Sequence, residues 1–190
     1  MELERSSSVA VSRRGFLHGA GAVATGGSAA LLAACGGGSG KKESKEAKQA
    51  DVAILNSAID LENRAIAAYT AGAPLLKGEA LKLGRKLLGQ EKDHADALST
   101  AASQLGGHPI HPKASYSFPR VRNQDDVLRL FDTIEHELIG VYLDALPKLS
   151  SPSLRAQVAS ILANEAEHLS IVLGALGRPQ VPTAFVTGSA

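Results

Sequence analysis

Two copies of one short pattern carry the chemistry of this chain. Glu91 and His94 stand three residues apart, as do Glu165 and His168. Each pair follows a lone glutamate by about thirty residues, Glu62 before the first and Glu135 before the second. On a helix, a spacing of three places both side chains on one face, so a Glu and its His can reach one ion. Buried carboxylates each lose hydration worth several kcal/mol unless a cation answers them. Two divalent cations supply four positive charges against four glutamates, and with neutral histidines the cluster closes at zero. Carboxylate oxygens and imidazole nitrogens suit iron or manganese, and accept zinc as well. Glu followed by Glu-x-x-His, given twice, is the ligand list of a two-metal site inside a four-helix bundle.

The elements that must position these residues are legible in the spacing of apolar side chains. The first helix is expected from about Ala47 to Ala71, carrying Leu55, Ile59, Glu62, Ile66 and Tyr69 on one stripe. The second runs from about Glu79 to Leu105 with Leu87, Glu91, His94, Leu98, Ala101 and Leu105, and stops at Gly106-Gly107. The third opens after Asn123, a good N-cap, and reaches Leu149 through Leu128, Phe131, Glu135, Leu138, Tyr142 and Ala145. The fourth starts with Ser151 as cap and Pro152 in the first turn, with Leu154, Val158, Ile161, Glu165, His168, Val172 and Ala175 in register. In each stripe the polar residues fall among the apolar ones, on the core-facing side. The fold class is therefore all-α, a four-helix bundle. Short first and third connections predict antiparallel neighbours, whereas residues 106–123 are long enough to cross the length of the bundle.

The chain also repeats itself. Residues 61–69 align with residues 134–142 at an offset of 73, and Glu91-Lys92-Asp93-His94 aligns with Glu165-Ala166-Glu167-His168 at an offset of 74. A repeat of two helix pairs predicts a pseudo-twofold axis between two equivalent metal positions.

With these motifs in place, residues 48–176 resemble the ferritin-like superfamily of di-iron and di-manganese carboxylate proteins. The resemblance implies that Glu62 and Glu135 are terminal carboxylates, that Glu91 and Glu165 bridge two ions, and that His94 and His168 serve one ion each. It implies two divalent metals, iron favoured and manganese open, and redox chemistry with dioxygen or peroxide, such as ferrous oxidation or peroxide removal. A non-catalytic metal-binding or structural role on the same scaffold fits the sequence too. The departures narrow the choice within the family. A rubrerythrin's cysteine-rich electron-transfer module has no counterpart, because Cys35 is the only cysteine. Haem ligation through methionine, as in bacterioferritins, has no candidate beyond Met1. The tail 177–190 is too short for the fifth helix of cage-forming ferritins, which argues against a storage cage and leaves a homodimer open.

The N-terminal residues 1–34 read as an export address rather than as part of the fold. Ser12-Arg13-Arg14-Gly15-Phe16-Leu17 resembles a twin-arginine signal, with His18 where a lysine is usual. The Gly- and Ala-rich stretch 19–34 is shorter than the roughly 20 apolar residues of a spanning helix. Leu32-Ala33-Ala34-Cys35 resembles the lipobox of bacterial lipoproteins, which implies that Cys35 is acylated and becomes the mature N-terminus. Two or more acyl chains give stable anchoring where one does not. Residues 35–47 then form a lipidated, Gly-rich tether, and the expected location is the extracytoplasmic side of a bacterial cell envelope. Loss of Arg5, Arg13, Arg14, Glu2 and Glu4 from 20 basic and 19 acidic residues leaves 17 of each. Such a balance gives no basic surface for nucleic acid. Lastly, Glu137, Asp93 and Glu167 are expected in solvent, His136 at a surface or interface, and His108 and His111 in an ordinary loop.

Overall fold

A computed structural model describes residues 44–189. Arg13, Arg14, Cys35 and the expected tether through residue 43 lie outside the described residues, whereas its last residues, 45–47, are already helical. The described chain forms four helices and no strand: α1 (Lys45–Gly72), α2 (Gly78–Gln104), α3 (Gln124–Ala145) and α4 (Pro152–Ala175), with a 3-10 turn at Ala73–Leu75. None of these helices is long and apolar enough to cross a membrane.

Local chemistry fixes the helix ends. Ser44 starts α1 by accepting the Ala47 amide on its hydroxyl at 3.1 Å, and Asn123 does the same for Asp126 at 2.9 Å. Helices α2 and α4 end in the same way, each on a glycine in the left-handed region: Gly106 at φ 82° and Gly177 at φ 69°. In each cap the next two amides fold back, Gly106 to Ser103 and Gly107 to Ala102, then Gly177 to Gly174 and Arg178 to Leu173. That is the Schellman arrangement, and only glycine takes the required φ without strain. Helix α3 stops at Ala145, four residues before the expected Leu149. Pro147 causes this, since it has no N–H to donate and its ring crowds the carbonyl one turn back. Leu149 is nevertheless buried, folded inward by a turn in which its amide bonds Ala145. Ser151 occupies the cap position of α4, but its hydroxyl pairs with Ser153 rather than with the helix backbone.

Side-chain contacts give the topology. Tyr69 meets Phe131 and Glu135, Tyr142 meets Glu62, and Asp51 meets Ser150, so α1 and α3 are antiparallel neighbours. Gln157 reaches Ala97, Asn164 reaches His94 and Gln90 reaches His168, which makes α2 and α4 antiparallel as well. The amide of Lys77 donates to Gln124, so α2 and α3 begin at the same end. The segment joining them therefore returns along the bundle. Its track follows α1: Asn56 holds His108 and Ile110, Asp60 holds Lys113 and Tyr116, and Arg64 lies 5.5 Å from the Phe118 ring.

The core is the set of facing stripes. Leu55, Ile59, Leu87, Leu98, Phe131, Leu138, Val158 and Val172 are all buried. Two positions depart from the simple stripe. Ala175 is exposed on the outer face of the last turn of α4, where Val172 and Leu176 pack inward, while Leu169 and Leu173 are buried in a second cluster with Ile139. On α1, Ala65 and Ala68 are fully buried where Ile66 is only partly so. Small side chains there let the helices approach closely around the bulky tyrosines.

Candidate metal centre

All six residues expected as ligands converge at mid-bundle. Glu62, Glu91, Glu135 and Glu165 have no exposure, and His168 has 1 %. Four elements contribute: α1 gives Glu62, α2 gives Glu91 and His94, α3 gives Glu135, and α4 gives Glu165 and His168. Their ligating atoms fall into two groups of four, Glu62-Glu91-His94-Glu165 and Glu91-Glu135-Glu165-His168. Glu91 and Glu165 belong to both.

The histidines point Nδ1 inward. Nδ1 of His94 is 2.7 Å from Glu165, 3.7 Å from Glu91 and 3.8 Å from Glu62. Nδ1 of His168 is 3.0 Å from Glu91, 3.2 Å from Glu165 and 3.7 Å from Glu135. The two rings lie roughly parallel, 5.7 Å apart. Despite these close approaches, neither Nδ1 has a hydrogen-bond partner.

The hydrogen-bond pattern separates the glutamates into two kinds. Tyr142 donates to Oε1 of Glu62, and Tyr69 donates to Oε1 of Glu135. Each of these glutamates then has one orphaned oxygen, Oε2, while Glu91 and Glu165 have both oxygens orphaned. Of nine orphaned buried side-chain atoms among the described residues, eight belong to this cluster. Buried polar atoms are normally satisfied, so this concentration needs an explanation. Two cations supply one: four donor atoms each, with the two doubly orphaned carboxylates shared. The donor set therefore fits a pair of divalent ions.

Electrostatics describe what the cluster does with protons alone. Burial, reinforced by the charges of Glu165 and Glu91, pushes Glu62 well above the usual carboxylate range. Burial also raises Glu135, although His168 opposes it. Glu165 goes the other way: burial would raise it, but His168 and His94 outweigh that and hold it at about 2. The histidines respond in kind. Burial would lower both, yet the facing carboxylates lift His94 to about 9 and His168 to about 12. Burial raises Tyr69 and Tyr142 as well, so both remain protonated donors. Without metal, protons take the place of the missing positive charge.

Other charged residues have separate roles. Glu137 is exposed and pairs with Arg64. His136 is partly buried, its side chain 14 % exposed, with Nδ1 on the Asp132 carbonyl at 2.8 Å. His108 and His111 are exposed, as is Asp93. Two buried acids escaped sequence reasoning. Asp51 accepts the Ser150 amide at 2.9 Å and hydroxyl at 2.6 Å, tying α1 to the α3–α4 turn. Asp132 accepts from Arg178 at 2.6 Å, which fastens the tail to α3. Neither sits in a motif; each is recognisable only once its partner, distant in sequence, is in place. A cavity of about 630 Å³ lies between α4 and that tail, lined by residues including His136, Leu169 and Phe185, and none of the six cluster residues opens into it.

Comparison with known proteins agrees with the four-helix fold. The family described as ferritin-like domain matches residues 50–178. A conserved hypothetical protein from Mycobacterium tuberculosis superposes with a TM-score of 0.64 at 21% identity, covering 67% of this chain and 98% of that one. A ferritin-like, diiron-carboxylate protein from Bacillus anthracis gives 0.60 at 20% identity, over 68% and 97%. The Desulfovibrio desulfuricans bacterioferritin, described with a diiron site, gives 0.61 at 16% identity, over 70% and 81%. At these identities the likeness is one of fold. No curated protein matches.

Proposed function

The chain belongs to the ferritin-like domain family, and from that premise we propose that it is a dimetal-carboxylate protein reacting with dioxygen or peroxide. Glu62, Glu91, His94 and Glu165 would hold one ion, and Glu91, Glu135, Glu165 and His168 the other, with iron favoured over manganese. The observation that carries this reading is the orphan pattern: one free oxygen on each terminal glutamate, two on each shared one. Redox-active ions, if bound by these residues, would supply electrons to an oxidant. The chain's own contribution is a closed, low-dielectric chamber in which Tyr69 and Tyr142 fix the terminal carboxylates and the bundle excludes bulk water. Ferrous oxidation and peroxide removal are the concrete activities.

A second reading, a metal-holding module without turnover, is favoured by the near-complete closure of the cluster. Only the His94 side chain, at 11 % exposure, opens toward solvent. One experiment separates the two. Protein loaded anaerobically with ferrous iron consumes dioxygen or peroxide above the buffer rate if the first reading holds. Two bound ions with no excess consumption leaves the second.

We also place the protein on the extracytoplasmic side of the envelope, anchored through acylated Cys35. The support is the order of Arg13-Arg14, the apolar stretch and Leu32-Ala33-Ala34-Cys35. Cys35→Ser should move the protein from the membrane to the soluble fraction; retention in the membrane would overturn the anchor.

A further inference from the structure

We propose that Gln90 and Asn164 are the residues that set the histidines for metal binding, each acting on the histidine of the opposite repeat. The proposal rests on the dimetal reading above and deepens it. Nε2 of His94 donates to Oδ1 of Asn164 at 3.1 Å, and Nε2 of His168 donates to Oε1 of Gln90 at 3.2 Å. Gln90 immediately precedes Glu91, and Asn164 immediately precedes Glu165. The repeated unit is thus a carboxamide residue, then Glu-x-x-His. Because α2 and α4 run antiparallel, the carboxamide of each unit reaches across to the histidine of the other.

The chemistry follows from donor and acceptor counts. A carboxamide oxygen accepts only, so the imidazole nitrogen facing it must carry the hydrogen. A neutral imidazole with Nε2–H has its lone pair on Nδ1, and Nδ1 is the nitrogen aimed into the carboxylate cluster. The amide of Asn164 is itself oriented: Nδ2 donates to Glu167 at 3.3 Å, which turns Oδ1 toward His94. That gives Glu167 a part beyond solvation. The partner's neutrality matters as well. Four glutamates already balance two divalent ions, and a carboxylate at position 90 or 164 would add a negative charge that favours a higher metal charge. Carboxamides orient the rings and leave that balance unchanged. Such outer partners of a metal-bound histidine are commonly worth 10–100-fold in affinity.

The test is cobalt(II) titration of the folded protein, read by equilibrium dialysis and by the visible absorption of the bound ion. Gln90→Leu and Asn164→Leu should each weaken one of two cobalt equivalents by roughly 10-fold or more and change its absorption band. Gln90→Glu and Asn164→Asp keep an acceptor oxygen and should restore binding. Circular dichroism checks folding, and a Leu variant that does not fold is replaced by Gln90→Met or Asn164→Ala, with the same expectation. If folded variants without the acceptor bind two cobalt ions with wild-type affinity and spectrum, the positioning role is wrong while the dimetal site stands. If the wild type binds no cobalt, both fall.

Discussion

The metal-free protein should lose stability as pH rises from 6.5 to 9, and the metal-loaded protein should not. His94 is held at about 9 by Glu165 and Glu91 although burial opposes this, against an ordinary value of 6.5. A raised folded value means that the folded chain holds the proton more tightly than the unfolded chain. The resulting stabilisation is complete below 6.5 and is lost as pH climbs through 9. At 1.36 kcal/mol per pKa unit, that interval amounts to about 3 kcal/mol for His94 alone. His168, lifted to about 12, acts in the same direction, as do the raised carboxyls of Glu62 and Glu135 from 4.5 upward. Only Glu165, lowered to about 2, has the opposite sign, and its contribution is lost only below 4.5. For a domain of this size, 3 kcal/mol corresponds to a melting-temperature drop of roughly 6–12 °C. The assay is thermal unfolding between pH 6 and 9, once with chelator and once with excess manganese(II) under anaerobic conditions. Bound ions replace the protons, so the loaded curve should be flat or rise with pH. His94→Gln should reduce the metal-free fall by its own share and leave the part due to His168, Glu62 and Glu135. A metal-free melting temperature that is constant or rises across this window would refute the assignment of protons as stand-ins for metal.

Three further outcomes follow from the same geometry. Loading two divalent ions at pH 7 should release the protons that His94 and His168 hold in the metal-free cluster, with the raised Glu62 and Glu135 acting in the same direction; calorimetry in buffers of different ionisation enthalpy counts them, and zero release contradicts the reading. Glu62→Ala touches only one group of four donors whereas Glu91→Ala touches both, so isothermal titration should show one surviving equivalent in the first and two weakened ones in the second. Asp51→Ala strands the Ser150 amide and hydroxyl at the α3–α4 turn, and urea unfolding should register a loss of about 1–3 kcal/mol; no loss would mean that the turn is held by packing alone.

The helices and the cluster were legible in the sequence because both obey a local period. Apolar residues at steps of three and four mark the core face, and a glutamate within such a stripe, as at Glu62 between Ile59 and Tyr69, must be buried. Glu-x-x-His spacing states its geometry outright, since a helix turns a fixed angle per residue. Features set by distant partners were not legible. Asp51 looks like any polar residue near a helix start until Ser150 arrives from 99 positions away. Tyr69 and Tyr142 were readable as core residues, but the crossed pairing with Glu135 and Glu62 appears only when α1 and α3 face one another. The end of α3 was misplaced because the apolar stripe continues through Leu149, and periodicity outweighed the stop at Pro147. His136 lies off the core stripe by its angle on α3, and it is only the Asp132 carbonyl, which its ring turns back to meet, that makes it partly buried.

Metal content tests most directly whether this bundle holds two metal ions. Protein purified from its native host, without added metal or chelator, is analysed for elements against chain concentration. Two iron or manganese ions per chain in the wild type, falling in Glu91→Ala, is the predicted result. A folded wild-type chain that carries no ion, and takes up none when offered ferrous iron anaerobically, would contradict the account.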